Sequence, residues 1–410
     1  MKIEKILEEE LASIKPSDDE IKKLNKIANN FINSIKKYKL KAQIGGSLAK
    51  GTLIKKKKKQ DIDIFVIFDY SEDILNLEKI LKKIKLFGKL KKIHGSRDYF
   101  QIECDDVILE IIPVVKNNDP ELAENVTDVS LRHVNYVKNK IQKNPKITNE
   151  IRLSKIFCQA QKCYGAESYI KGFSGYSLEV LTIYFGGFLK FLKGISKKRI
   201  IDPEKYFQNE KEILRELNSS KIQGPVILID PTYKFRNITA GLSEETFEKF
   251  LKSAKSFLKS PSIDLFIEKK IDLDELKNFA QKNNSRLIGL NLTTNRQEGD
   301  IAGSKMKKFF DFFARELQRK QQEVLIKEFE YNNGKTAAGY LVVKEKTEIE
   351  IRGPSLGLEE AVRNFSKSKK EIFKKGGYVW TKEKISVEKV FEQVKKLEKE
   401  MDVKVGMKNI

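Results

Sequence analysis

An α+β multidomain protein is what this sequence predicts, with an α/β head, a helical central domain and a small α+β C-terminal domain. Three observations carry that reading. The chain has 410 residues, too long for one compact core. From about residue 42 to 116, the apolar runs DIDIFVIFD, DYFQIEC and VILEIIPVV surround a helical pattern near 72–86, as strands with a connecting helix do. The pattern turns helical over 147–164 and 174–193, and strands and helices alternate again beyond the Ser-Pro-Ser at 260–262.

The elements follow in order. Residues 1–38 read as helices, broken at Pro16 and restarted by Ser17, Asp18 and Asp19. The head is expected over 1–143 and the central domain over 144–260, where VILID at 226–230 is a strand closed by the turn DPTYKFRN. Ser243 opens a helix over 243–260 with an imperfect capping box. An α+β region is expected over 261–380: RLIGLNLTT, a helix at about 301–320, the strands VLIKEFEY and AAGYLVVKE around NNGK, and a helix near 357–374. A C-terminal helix is assigned to 381–410, strongest over 386–400, and the sequence stops soon after it in VKVGMKNI.

Composition narrows the function. Lys and Arg total 80 against 58 Asp and Glu, a net charge of +22 that favours a polyanionic partner, nucleic acid ahead of an anionic membrane surface. Three cysteines and two histidines make neither a disulfide framework nor a zinc site. MKIEKILEEELASIKPSDDE is an acidic amphipathic helix, not a signal peptide, and VLTIYFGGFLKFL at 180–192 contains Lys190 and is too short to span a bilayer. A cytoplasmic protein with no membrane partner is expected.

The chemistry concentrates in GGSLAKGTLIKKKKKQDIDIFVIFD at 45–69. Asp61 and Asp63, two apart on a strand, share one face, while Ile62, Ile64, Val66 and Phe68 take the other. Like charges in an apolar strand are costly unless a cation or hydrogen bonds compensate them. Glu110 interrupts VILEIIPVV in the same way, so if the two strands are neighbours three carboxylates converge. Hard oxygen ligands without histidine point to Mg²⁺ or Mn²⁺. The plainer alternative is a solvated strand end. The Gly-Gly-Ser turn lets backbone N–H groups approach an anion, yet it is no Walker A loop: it lacks G-x-x-x-x-G-K-[ST] and no helix-forming run follows it.

GGS, Asp-x-Asp fourteen residues after the serine, and a carboxylate on a later strand resemble the nucleotidyltransferase superfamily related to DNA polymerase β. Its members hold a triphosphate on the Gly-Ser turn and two metal ions on three carboxylates. Further segments resemble archaeal-type (class I) tRNA CCA-adding enzymes: LSKIFCQAQKCYGAESYIKGFSGYSLEVL at 153–181, VILIDPTYKFRNITAGLS at 226–243 and IRGPSLGLEEAVRNF at 351–365. The likeness runs from about residue 40 to 380. It implies a polymerase-β-like nucleotidyltransferase head and addition of C, C and A to the 3′ end of tRNA from CTP and ATP with Mg²⁺. A-only or poly(A)-type transfer, or a non-catalytic RNA-binding relative, are the rival readings. A homodimer, common in that family, is left open.

By the resemblance, Asp61, Asp63 and Glu110 would hold the metals, and Ser47 and Lys50 the triphosphate. His133, Lys155 and Tyr164 would add nucleotide contacts, and Arg236 would read the base edge, with Asn237 a weaker candidate. Relatives also show Glu and Asp where this chain has Asp61 and Glu110, and tend to continue beyond its C-terminus. Each assignment has a plainer alternative: surface lysines for Lys50 and Lys155, a structural hydrogen-bonder for His133, a packed helix terminus for Tyr164. Lys155 and Tyr164, nine residues apart, would lie on opposite faces of one ideal helix, so their convergence requires the helix to end first, which Gly165 permits. The five lysines at 55–59 match no motif and read as a solvated loop, with an RNA-backbone contact as the alternative.

Overall fold

A computed structural model of the chain describes residues 2–410 except 57–58, 85–87, 96, 118, 124, 297 and 370. It divides into two units, one of residues 1–166 and 170–269, the other of 167–169 and 270–410.

The first unit opens with α1 (Lys2–Ile14) and α2 (Asp18–Lys36), the second started by a full capping box between Ser17 and Glu20. Leu24, Ala28, Phe31, Ile32 and Ile35 of α2 form one apolar stripe at helical spacing and are buried against a mixed sheet. That sheet joins β1 (Lys41–Ile44), β2 (Gln60–Phe68), β3 (Leu90–Ile93), β4 (Tyr99–Cys104) and β5 (Val107–Val115) in the order β1-β2-β5-β4-β3. Between β1 and β2 sits α3 (Gly46–Lys50), and α4 (Leu77–Lys83) follows a 3₁₀ turn at Glu72–Asn76. The helical pattern expected near 72–86 is thus these two pieces, its last two positions lying outside the described residues. The pair β2–β5 is parallel and all other pairs are antiparallel.

Helix α5 (Ser130–Lys143) leads into a phenylalanine-rich core built by α6 (Ile147–Ala160), α7 (Gly175–Phe185) and α8 (Phe188–Gly194). Next come β6 (Ile200–Ile201), α9 (Glu210–Glu216), β7 (Ile227–Asp230) and β8 (Tyr233–Asn237), with the three strands forming a small sheet. Helix α10 (Glu244–Lys259) is capped one-sidedly by Ser243, as its imperfect box foretold. The unit does not stop at Ser-Pro-Ser: Phe266 packs among Phe157, Phe188 and Phe257, and the contacts hold together through Lys269.

The second unit places α11 (Leu273–Lys282) and α12 (Asp300–Arg319) on the sheet of β9 (Arg286–Thr293), β10 (Glu323–Tyr331) and β11 (Thr336–Lys344). A three-stranded sheet of β12 (Glu348–Ser355), β13 (Ile372–Lys375) and β14 (Tyr378–Lys384) flanks α13 (Glu359–Ser368). The chain ends with α14 (Val387–Lys395), α15 (Glu398–Met401) and β15 (Lys404–Asn409). Two expectations change here. The helix read near 357–374 stops at Ser368, and the β-branched and aromatic run that follows pairs with β14. The C-terminal helix assigned to 381–410 is confined to α14 and α15: β14 runs to Lys384, and VKVGMKNI carries a strand, with Val405 buried, that pairs antiparallel with β9.

Candidate active site

The turn after β1 and the strand β2 are built against each other. Gly45 N–H donates to Asp63 O at 2.8 Å. Gly46 adopts φ 53°, and a Cβ there would stand 1.6 Å from Asp63 Oδ2. Only glycine lets the backbone come this close to the carboxylate. The short helix α3 starts at once from this turn, contrary to the sequence expectation, and ends on Gly51 at φ 73°. Five residues suffice because Leu48 is buried in the sheet core and the glycines at either end supply the turns.

The parallel pairing of β2 with β5 sets Asp63 opposite Glu110, and Asp61 opposite Ile108. Across the sheet Gln101 of β4 faces Glu110 and donates Nε2–H to its Oε1 at 2.8 Å. The opposite face of β2 carries Ile62, Ile64 and Val66, all fully buried. Burial pushes the Asp63 carboxyl up from its ordinary range, opposed by Lys50 and reinforced by Asp61. Burial, then Asp63 and Asp61, push Glu110 up to about 7. Crowded negative charge among hard oxygen donors is what a divalent cation relieves, and these residues fit one. As the side chains stand, no group of three acidic, His or Cys residues closes around one point among the described residues. Asp61 is paired with the Lys56 ammonium, and Glu110 with Gln101.

Ser47, Lys50, Asp61, Asp63, Glu110, Lys155 and Tyr164 all line one cavity of about 920 Å³. Lys155 and Tyr164 share it because α6 ends at Ala160, before the tyrosine. Arg152, one turn before Lys155, ties the glycine-bounded turn to α6 by donating to Gly51 O at 2.6 Å and Leu53 O at 2.9 Å. Behind this wall lies Glu179 of α7, fully buried. It accepts from Lys50 Nζ at 2.6 Å, Lys155 Nζ at 2.7 Å and Thr52 Oγ1 at 2.7 Å. Burial works against its charge, but Lys155 and Lys50 outweigh it and hold its carboxyl at about 2.

His133 and Arg236 are not among the residues lining that cavity. They meet at Asp230, which is fully buried: His133 Nε2 lies 3.0 Å and Arg236 Nη1 3.1 Å from Asp230 Oδ2. Arg236 Nη1 is also 3.1 Å from His133 Nε2. That ring nitrogen can donate to Asp230 or accept from Arg236, not both at once. Burial lowers the His133 pKa against the pull of Asp230, favouring the neutral ring. Asp230 Oδ1 accepts from Tyr176 Oη at 3.1 Å and from the Thr232 N–H at 2.8 Å. Tyr176 stacks on His133 at 3.9 Å and itself lines the cavity, so it joins the two clusters. His133 is thus held by Asp230 and Tyr176 within the protein. Asn237 is occupied too, its Oδ1 accepting from the N–H groups of Leu228 and Thr239.

Comparison with known proteins decides the family. Residues 149–267 match the profile of the tRNA nucleotidyltransferase second domain, and residues 1–144 that of the Second Messenger Oligonucleotide or Dinucleotide Synthetase domain. The CCA-adding enzyme of Methanocaldococcus jannaschii is 31% identical over 397 residues, covering 90% of this chain and 85% of the relative. The chain belongs to the CCA-adding enzymes. That of Pyrococcus abyssi is 30% identical over 78% of this chain and 73% of its own length. That of Nanoarchaeum equitans is 41% identical over a shorter match, 52% of this chain and 54% of the relative. A cytoplasmic RNA terminal U-transferase superposes with a TM-score of 0.52 at 14% identity, covering 66% of this chain and 99% of its own. The Cid1 poly(U) polymerase gives 0.51 at 14%, over 65% of this chain and 98% of its own. These two likenesses show the nucleotidyltransferase fold. Among the described residues no helix is long and apolar enough to cross a membrane.

Sequence reasoning on this CCA-adding enzyme missed Glu179, Asp230, Thr52, Gln101 and Tyr176. The signal that exposes Glu110, an acid interrupting an apolar run, also marks Glu179 in YSLEVLTIYF. Asp230 ends VILID in the same manner. Thr52, Gln101 and Tyr176 carry no such mark.

Proposed function

We propose that this chain adds C, C and A in turn to the 3′ end of tRNA, from CTP and ATP, with Mg²⁺ held by Asp61, Asp63 and Glu110. Membership of the CCA-adding enzymes makes it a template-independent tRNA nucleotidyltransferase that uses nucleoside triphosphates and a divalent metal. The observation that carries the finer reading is the register of β2 on β5, which sets Asp63 beside Glu110 in the cavity lined by Ser47, Lys50 and Lys155.

When bound, the divalent ion would activate the attacking hydroxyl and neutralise the leaving pyrophosphate. Ser47 supplies a hydroxyl donor, and Lys50 and Lys155 supply ammonium donors for the triphosphate oxygens. Arg236 presents a fork of N–H groups suited to a base edge, which charge alone cannot read. Asp230 occupies Nη1 of that fork, and its other donors are unspent among the described residues. The second unit would hold the acceptor arm by shape and backbone charge, as A-form RNA is held.

One assay tests this. tRNAs ending at the discriminator base, at C and at CC are offered CTP, ATP or both, with and without EDTA. C, C and A are expected in order, and EDTA abolishes them. No incorporation on any substrate overturns the enzyme reading. A alone, on the CC end only, overturns full CCA addition in favour of an A-only transferase. Asp63→Ala is expected to abolish incorporation and leave tRNA binding intact.

A further inference from the structure

We infer that Glu179 is a positioning residue for the triphosphate site, holding the Lys50 and Lys155 ammoniums at fixed points of the cavity wall. The inference rests on the reading of the cavity as a nucleotide site. Lys50, Thr52 and Lys155 line the cavity, whereas Glu179 stands behind them, fully buried. Its two oxygens are divided between the lysines: Oε2 takes Lys50, and Oε1 takes Lys155 together with the Thr52 hydroxyl. Thr52 Oγ1 closes the arrangement by accepting from Lys155 Nζ at 3.0 Å.

Counting donors shows what is left for a ligand. An ammonium has three N–H groups. Lys155 spends two on Glu179 and Thr52, and Lys50 spends one on Glu179. The remaining three are unspent among the described residues. A lysine stem is flexible, and fixing it in advance removes an ordering cost from ligand binding. The carboxylate also keeps a buried and a half-buried like charge together that would otherwise repel or shed a proton: burial and Lys50 both pull the Lys155 pKa down, and Glu179 pushes it back up. Against this stands simple charge. One carboxylate offsets one of the two ammoniums, so its removal leaves a more positive wall. Fixed geometry and retained protons win if binding weakens on its removal, and charge wins if binding tightens.

The test uses the full chain and Glu179→Gln, which keeps shape and removes charge, beside Glu179→Asp, which keeps charge. Inorganic tripolyphosphate binding is measured by calorimetry, and KM for CTP and ATP, kcat and tRNA affinity by assay. Glu179→Gln is expected to weaken tripolyphosphate on the order of tenfold or more, the scale of one charge-assisted hydrogen bond. It should raise KM for CTP and for ATP by the same factor, since the base is untouched, and leave tRNA affinity unchanged. Glu179→Asp should recover most of the loss. Unchanged or tighter tripolyphosphate binding overturns the inference, as does a KM shift that differs between CTP and ATP. If Glu179→Gln melts below assay temperature, Glu179→Asp decides alone: an equal small rise in both KM values supports positioning, and wild-type values overturn it. Should the wild type add no nucleotide, the function reading fails, while the tripolyphosphate comparison still stands.

Discussion

Replacing Gly46 by alanine perturbs the site at its tightest point. Two costs add. The φ of 53° lies in the left-handed region, which costs an alanine about 1–2 kcal/mol. The new Cβ would also stand 1.6 Å from Asp63 Oδ2 and 2.4 Å from its Cγ. Restoring van der Waals contact requires the turn or the carboxylate to move by more than about 1.5 Å. Displacements of about 1 Å at reacting groups cost on the order of a hundredfold in rate. Gly46→Ala is therefore expected to lose at least that factor in kcat/KM for C addition, with stability down by about 1–3 kcal/mol.

Gly51→Ala separates the two costs. Its φ is 73°, and a Cβ there would meet nothing within 4 Å. The backbone cost remains and the contact does not, so stability should fall by about 1–2 kcal/mol with the rate within about threefold of wild type. The assay is single-turnover incorporation onto tRNA lacking CCA, with thermal melts on the same samples. Wild-type kcat/KM in Gly46→Ala would refute the reasoning. So would an equal rate loss in Gly51→Ala, because backbone strain would then explain both.

The metal-free protein should lose stability as pH rises through neutrality. The Glu110 carboxyl sits at about 7 in the folded chain against an ordinary 4.5, so its contribution is fully present below about 4.5 and lost as pH passes 7. The full swing is on the order of 3 kcal/mol. In EDTA, melts of Glu110→Gln should show a shallower slope between pH 5 and 8, what remains coming from the raised Asp63 carboxyl, and the same slope in wild type and variant would refute the assignment. Replacing all five lysines 55–59 by serine should leave tRNA affinity unchanged at every salt concentration, and a shallower salt dependence would assign the run to phosphate contacts. Lys57 and Lys58 lie outside the described residues.

How much of this was legible before the structure depends on how each residue signals. The carboxylates were, because an acid breaking a period-two apolar strand is costly unless it has a purpose, and Asp61, Asp63 and Glu110 each break one. Their adjacency was not, because strand order depends on which neighbour buries the apolar faces, and that is set across the whole sheet. The helix α3 was invisible for a different reason: five residues hold no helical period, and only the glycines bounding it and the buried Leu48 make it stand. At the C-terminus, VKVGMKNI does alternate, Val403, Val405 and Met407 against Lys404, Gly406 and Lys408, but the run is short and follows a strong helical pattern, so the helix assigned to 381–410 was carried over it.

The lysine run illustrates why charge alone misleads. A row of five lysines beside a phosphate site invites a phosphate role, yet each described member has an acidic partner: Lys55 with Glu20 at 2.7 Å, Lys56 with Asp61, Lys59 with Glu103 at 2.7 Å. Pairs this exposed contribute about 0–1 kcal/mol each and are screened by salt. Lys55 and Lys56 line the cavity too, with about half of each side chain exposed, but its two least exposed lysines behave otherwise. Lys50 and Lys155 are held on a fully buried carboxylate, where screening is weak and an unpaired charge is expensive. A cation's fitness to hold phosphate therefore depends less on how many lysines stand together than on whether something buried fixes them. In this chain that residue is an acid hidden in the helix YSLEVLTIYF, about seventy residues beyond Glu110, the last of the three carboxylates that drew attention to the site.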